Sequence, residues 1–285
     1  MKLLVTGGTG QLGSLVVEQL LKLVPADRIA VSVRDPKKAE HLQALGVDVR
    51  TANFNDTDSL LTAFEGIDRV LLISTDDMAN RVQQHKAVIE AAREKKVSFI
   101  VYTSAPKAST SKLSLAADHR ATEEAIIASG IPYSILRNNW YLENELSTFQ
   151  AVQSGAPWII ASGEGKIGWA TRRDFAEAAA RVLAGEGHDR TLYELSGKLL
   201  TQAELSKIFA EATNREVQVQ YADGAAYSQI LQQAGLPEAV SGFLASLQTQ
   251  IGEGELEVEN SDFERVLGHP TTPLDEAIRQ LLGQP

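Results

Sequence analysis

Cysteine is missing from all 285 residues, which excludes disulfides and thiolate chemistry together, and with them a disulfide-stapled secreted module. Hydrophobic runs stay at strand length, well short of the ~20 apolar residues that a membrane helix needs. Basic residues are in the minority: 27 Lys and Arg against 37 Asp and Glu give a formal charge of −10, with no clustered basic face for a phosphate backbone. Neither nucleic acid nor a membrane is an expected partner. The five histidines are scattered, and no H-E-x-x-H, G-x-S-x-G or G-x-x-x-x-G-K-[ST] occurs, so a metal centre, an elbow-serine hydrolase and a phosphate-hydrolysing loop are all unsupported. The first apolar strand starts at the very beginning of the chain, so no signal peptide is expected, and a cytoplasmic protein is the economical reading.

What is present begins at residue 2. Leu3, Leu4 and Val5 form an apolar strand, Gly7, Gly10 and Gly13 follow at G-x-x-G-x-x-G spacing, and a helical pattern runs from Ser14 to Leu23. In such a strand-turn-helix unit the first glycine makes the tight bend, the second lets backbone N–H groups approach a pyrophosphate, and the third lets helix and strand pack closely. The helix N-terminus then faces the phosphates with its positive dipole end. The segment Gly7, Thr9, Gly10, Gln11, Leu12, Gly13 is therefore the expected cofactor loop. A second strand, Arg28 to Val33, ends at Arg34, where an NAD-preferring site carries an acidic residue. A guanidinium there grips the 2′-phosphate of NADP, with Lys37 or Lys38 as helpers, so NADPH is expected over NADH. The alternative, a solvated helix start beside Asp35, leaves NAD open.

Further strands are expected at Val47 to Thr51, Arg69 to Ile73, Val97 to Tyr102 and Ile131 to Leu136, with helices at Asp56 to Phe64, Gln83 to Lys95 and Asp118 to Ser129. The alternation argues for an α/β fold built on a doubly wound parallel sheet, whose ligands lie at the C-terminal strand ends. Asn53 and Phe54 then fall beside the adenine, and Ser74 and Thr75 beside the nicotinamide ribose or phosphate. Ser104 ends the fifth strand as a hydroxyl facing substrate. The polar run Ala105 to Leu115 reads as a loop over the site, free to move, and His119 as a pocket or helix-surface residue. After the sixth strand comes Arg137-Asn138-Asn139-Trp140-Tyr141, too polar and aromatic for packing alone. Residues 1–150 are read as the cofactor-binding domain and 151–285 as a smaller, mainly helical region around the pocket, with Thr191 to Leu195 returning to the main sheet.

VTGGTGQLG at 5–13, SVRDPKKA at 32–39, VYTSA at 101–105, IPYSILRNNWYLEN at 131–144, IGWAT at 167–171, ATRRDFAEAAARVL at 170–183 and YELSG at 193–197 together resemble the NmrA-like branch of the atypical short-chain dehydrogenases/reductases. The likeness is to its bacterial quinone oxidoreductase 2 type, with triphenylmethane reductase a close cousin, and it covers nearly the whole chain. It implies a Rossmann-type domain holding NADPH and a pocket in which Asn138, Trp140 and Tyr141 meet a small-molecule electron acceptor. Two positions depart from the pattern: Asn139 stands where a small residue is expected, and Asn53 where an aspartate is usual. The Y-x-x-x-K pair of the wider superfamily is missing. Ketone reduction without a positioned acid is difficult, whereas hydride delivery to a quinone gives a delocalised anion that water or a pocket hydroxyl can protonate. The expectation is an NADPH-dependent reductase of quinones or similar conjugated electrophiles, with Ser104, Asn138 and Tyr141 serving catalysis and Trp140 and His119 the pocket. The resemblance also allows an NADP-sensing regulator without turnover; a nucleotide-sugar epimerase ranks last, for want of the Tyr-Lys pair. The chain is expected to be a monomer or a homodimer.

Overall fold

The structure is a computed structural model that describes residues 1–284. It opens with β1 (Leu3–Thr6), α1 (Gln11–Leu23), β2 (Ile29–Val33), α2 (Glu40–Ala44), β3 (Asp48–Thr51), α3 (Thr57–Ala63), β4 (Arg69–Leu72), α4 (Arg81–Glu94), β5 (Phe99–Ser104), α5 (Ala116–Ser129) and β6 (Tyr133–Asn138). There follow β7 (Trp140–Tyr141), α6 (Leu146–Gln153), β8 (Trp158–Ile160), β9 (Lys166–Ala170), α7 (Arg172–Ala184) and β10 (Thr191–Leu195). The chain closes with β11 (Leu199–Thr201), α8 (Gln202–Thr213), β12 (Val219–Tyr221), α9 (Gly224–Gln233), α10 (Glu238–Gly252), α11 (Asp262–Leu267) and α12 (Leu274–Leu281).

Seven strands form one parallel sheet in the order β10-β6-β5-β4-β1-β2-β3. Strand order reverses between β1 and β4, which opens a crevice at their C-terminal ends. Both faces of the sheet are covered, so its strands are apolar throughout rather than alternating. Leu3 and Val5 face one core with Val16, Val17 and Leu20 of α1 and Phe175, Ala179 and Leu183 of α7, while Leu4 faces the other with Phe64, Val88 and Ile126.

A third core lies outside this sandwich, where Phe149, Trp158 and Phe209 stack with ring centroids 5.1–5.8 Å apart. It is framed by a three-stranded sheet, β11-β9-β7, and by the pair β12-β8. The two regions interleave along the chain instead of meeting at residue 150. The small sheet already begins at Trp140, and α7, β10 and α11 return to the large unit because their apolar faces complete its first core.

Two local expectations are revised. Helix α5 starts at Ala116 without a side-chain cap, since Asp118 pairs instead with Arg81 at 3.5 Å. The loop from Ala105 to Leu115 is tied down: Glu255 accepts from Ser111 Oγ (2.8 Å) and Lys112 N (2.9 Å), Lys107 Nζ donates to the Gly254 carbonyl, and Arg120 donates to the carbonyls of Ala108 and Ser111. Its polar residues serve as anchors, which is why composition alone reads it as free.

Candidate active site

A cleft of about 610 Å³ runs along the C-terminal edge of the large sheet, from the ends of β2 and β3, across β1 and β4, to β7 and the start of α7. Its floor is the glycine turn. Gly7 sits at φ +63°, where a side chain is strained, and its N–H donates to Ser32 O at 3.0 Å. A Cβ on Gly13 would fall 2.2 Å from Gly7 O, and one on Gly8 2.6 Å from Val31 Cβ, so both must lack a side chain for turn, helix and β2 to approach. Gly10 caps α1 without a side-chain bond, and the helical ladder starts with Ser14 N–H donating to Gly10 O at 3.0 Å. Gly10 N–H is spent on Gly7 O at 2.8 Å, and the N–H groups of Gln11, Leu12 and Gly13 are left open to a ligand. This explains why α1 begins at Gln11, three residues before the apolar periodicity.

At the β2 exit, Arg34 and Lys38 both line the cleft. Asp35 is turned to local use, its Oδ1 accepting from Lys37 N at 3.1 Å. Asn53 and Phe54 line the same end, and Asn53 Oδ1 accepts from Asn55 N (3.1 Å), which leaves its amide N–H₂ free to donate.

The β4 exit is fixed by side chains that catch successive backbone groups. Thr6 Oγ1 accepts from Ile73 N (3.0 Å), Thr103 Oγ1 from Ser74 N (2.9 Å) and His85 Nε2 from Thr75 N (3.1 Å), while Arg81 Nε donates to Thr75 O (2.9 Å). Ser74 and Thr75 therefore present a rigid wall. Because His85 accepts at Nε2, its proton sits on Nδ1 and is donated to Thr122 Oγ1 at 2.9 Å. Burial, with Arg81 nearby, pushes this imidazole down to about 3, so it stays neutral in its acceptor role.

At the far end stand Tyr141 and Arg172. Asn138 Nδ2 donates to the Tyr141 hydroxyl at 3.2 Å, so that hydroxyl retains its own proton for donation. The buried Asn138 Oδ1 has no partner in the protein. Tyr141 packs edge-on against Phe175 with centroids 5.1 Å apart, and burial pushes its phenol upward, so it remains protonated at neutral pH. The Arg172 guanidinium lies 5.1 Å above the Tyr141 ring.

Four expected site residues lie outside the cleft lining: Asn138, which is buried and bonds the Tyr141 hydroxyl from behind, and Ser104, His119 and Trp140. Ser104 Oγ donates at 2.5 Å to Glu123, which in turn accepts from Arg137, itself bonded to Glu194: a buried ionic network that joins β5, α5, β6 and β10. His119 is 6% exposed, with Nδ1 2.8 Å from the Tyr102 hydroxyl, and burial holds it down to about 3. Trp140 packs against the third core and donates from Nε1 to Glu145 at 3.2 Å, as does Trp169. Asn139 clasps the two regions, donating to Ser196 Oγ (3.1 Å) and Leu256 O (2.9 Å), a task that a smaller residue could not perform. Sequence reasoning missed Arg172 as a cleft residue, along with Gln84, Asp76 and Asp77. The only available signal for Arg172 was a cation opening a helix, where an acidic residue is favoured.

Open N–H groups above a side-chain-free cradle, with cations at one end and a phenol at the other, suit a dinucleotide whose base, phosphates and nicotinamide span the strand ends in turn. Fold and site thus define a dinucleotide-binding α/β protein of Rossmann type. Within that class the chain belongs to the NmrA-like family, whose model matches residues 1–271. It is 40% identical over 280 residues to quinone oxidoreductase 2 of Escherichia coli, covering 98% of both chains. The crystal structure of that NADPH-dependent quinone oxidoreductase with NADPH superposes with a TM-score of 0.94 over 98% of this chain and 99% of that one. Triphenylmethane reductase from Citrobacter sp. superposes equally well, with a TM-score of 0.94 at 36% identity and 100% coverage of both chains.

Proposed function

We propose that this protein is an NADPH-dependent oxidoreductase that reduces a quinone or a similar conjugated electrophile. Bound in the cleft, NADPH supplies the hydride. The open amides of the α1 N-terminus hold the pyrophosphate, and Arg34 with Lys38 holds the 2′-phosphate. Ser74 and Thr75 border the ribose on the nicotinamide side, and Phe54 and Asn53 the adenine.

The observation that carries the reading is the Tyr141 hydroxyl. Asn138 fills its acceptor side, so its free proton is a hydrogen-bond donor at the end of the cleft opposite Arg34, where an acceptor's carbonyl oxygen would sit. Such a donor stabilises the anion that forms when a quinone takes up hydride, and no lysine-assisted tyrosine is needed. We assign Tyr141 and Asn138 to that task, and Ser104, His119 and Trp140 to supporting it from outside the cleft lining. The NADP-sensing alternative has less support, since the relatives above are named as reductases. The acceptor is a small molecule met in the cytoplasm.

Purified protein mixed with NADPH and a short-chain quinone should consume NADPH, and faster than NADH. Tyr141→Phe and Asn138→Ala should lower kcat/KM for the quinone roughly tenfold, the worth of one hydrogen bond to developing charge, with NADPH affinity little changed. Tight NADPH binding with no consumption across quinones, dyes and aldehydes would favour the regulator.

A further inference from the structure

The cleft carries a cation that the cofactor reading leaves unassigned. Arg34 and Lys38 stand at the β2 end, whereas Arg172 stands beside Tyr141 at the opposite end. Its position is electrostatically costly, because it is the first residue of α7 and faces the positive end of that helix dipole. Its neighbour Arg173 has Glu18 at 3.5 Å, but among the described residues no carboxylate lies within ion-pair distance of the Arg172 guanidinium. Glu143 meets Arg172 only through the backbone, accepting its N–H at 2.9 and 3.0 Å. One guanidinium N–H bonds Asn144 Oδ1 at 3.0 Å, and the plane rests over the Tyr141 ring. A guanidinium without an ion-pair partner among the described residues is thus held over the Tyr141 ring, and its charge acts on the Tyr141 hydroxyl more strongly than the opposing charge of Glu143.

We infer that Arg172 sets the charge selectivity of the site, favouring neutral acceptors that gain negative charge over cationic acceptors that lose a positive one. This rests on the reductase reading and goes beyond it by specifying the acceptor class. A neutral quinone that takes a hydride from NADPH, one proton with two electrons, becomes a hydroquinone anion, which then takes one proton from water. Arg172 lowers the energy of that anion. A triarylmethyl cation that takes the same hydride at its central carbon becomes neutral and needs no proton. Arg172 repels the starting cation and gains nothing from the product.

The test compares Arg172→Gln, which removes the charge, with Arg172→Lys, which keeps it. Three readouts are taken: NADPH affinity from cofactor fluorescence without acceptor, kcat/KM for a neutral quinone and for a cationic triarylmethane dye, and the ionisation of 4-nitrophenol bound to the NADP⁺-loaded protein, followed by its colour. Arg172→Gln should keep NADPH affinity within about threefold, lower the quinone's kcat/KM roughly tenfold and leave the dye's unchanged or raised. The bound phenol, lowered by about one pH unit in the wild type, should return to its solution value, and Arg172→Lys should restore most of the shift.

A loss of NADPH affinity with both acceptors falling in parallel would make Arg172 a clamp for cofactor phosphate and overturn the proposal. Equal falls for both acceptors at unchanged NADPH affinity, no shift in the phenol, or no binding of the phenol would overturn it too. If the wild type reduces neither acceptor, it is the reductase reading that fails, and the phenol titration still judges the charge selectivity by itself.

Discussion

Two glycines of the cofactor turn are fixed by contacts at opposite sides of it. Gly13 packs on the Gly7 carbonyl, a backbone atom that cannot yield without opening the turn, so Gly13→Ala should lower NADPH affinity by more than tenfold and destabilise the fold by about 1–3 kcal/mol. Isothermal titration and urea unfolding measure the two effects; a variant that binds NADPH normally would refute the role. Gly8 meets the Val31 side chain, and the triplet spacing gives no hint of it, because the contact joins residues 23 positions apart. Arg34 was legible because the end of β2 is a fixed place in this fold. Arg34→Gln should raise the KM for NADPH roughly tenfold and leave that for NADH nearly unchanged, since only the former carries the 2′-phosphate. An equal effect on both cofactors would make Arg34 a general phosphate contact.

At the scale of elements, helix α7 links stability to the site. Thr171 and Asp174 form a reciprocal capping box, and Asp174 also accepts from Thr272 Oγ1 at 2.8 Å, so the cap joins α7 to the segment before α12. The same first turn carries Arg172. Thr171→Ala should cost about 1 kcal/mol in urea unfolding and lower quinone turnover more than NADPH affinity, because it loosens the turn at the acceptor end. Equal loss of both would place the effect elsewhere. Periodicity and cap chemistry made most helices legible: the box at Thr201 and Glu204 forms as its spacing implies, and β10 runs from Thr191 to Leu195 as read. Less legible was which strand-end groups face the cleft. Strands β5 and β6 extend two residues beyond their apolar runs, which carries Ser104 and Arg137 into a buried ionic network with α5 and β10. Partners drawn from four elements leave no local trace.

For the molecule as a whole, the same limit shows in His119, read as a pocket or helix-surface residue, which packs with His85 between α4, α5 and β5. The groups facing them are Arg81, Asp118, Tyr102 and Glu123. Both are held down to about 3 by burial, against 6.5 in the unfolded chain. Above pH 6.5 both states are neutral there and nothing is gained or lost. Below it the unfolded chain binds protons that the fold refuses, so stability falls as pH falls, by up to about 1.4 kcal/mol per pH unit for each histidine until the folded values are reached. His188 is also lowered and adds in the same direction, while His269, raised by the Pro270 carbonyl and by Glu177, opposes it from the surface. In the folded protein His85 stays neutral over this range, so its bond from Thr75 N–H and the cleft wall it holds persist until the chain unfolds. Urea unfolding at pH 7, 6, 5.5 and 5 should show a steep decline, and His85→Asn with His119→Asn should flatten it while lowering stability at pH 7. A slope that survives in the double variant would assign the acid sensitivity to other groups.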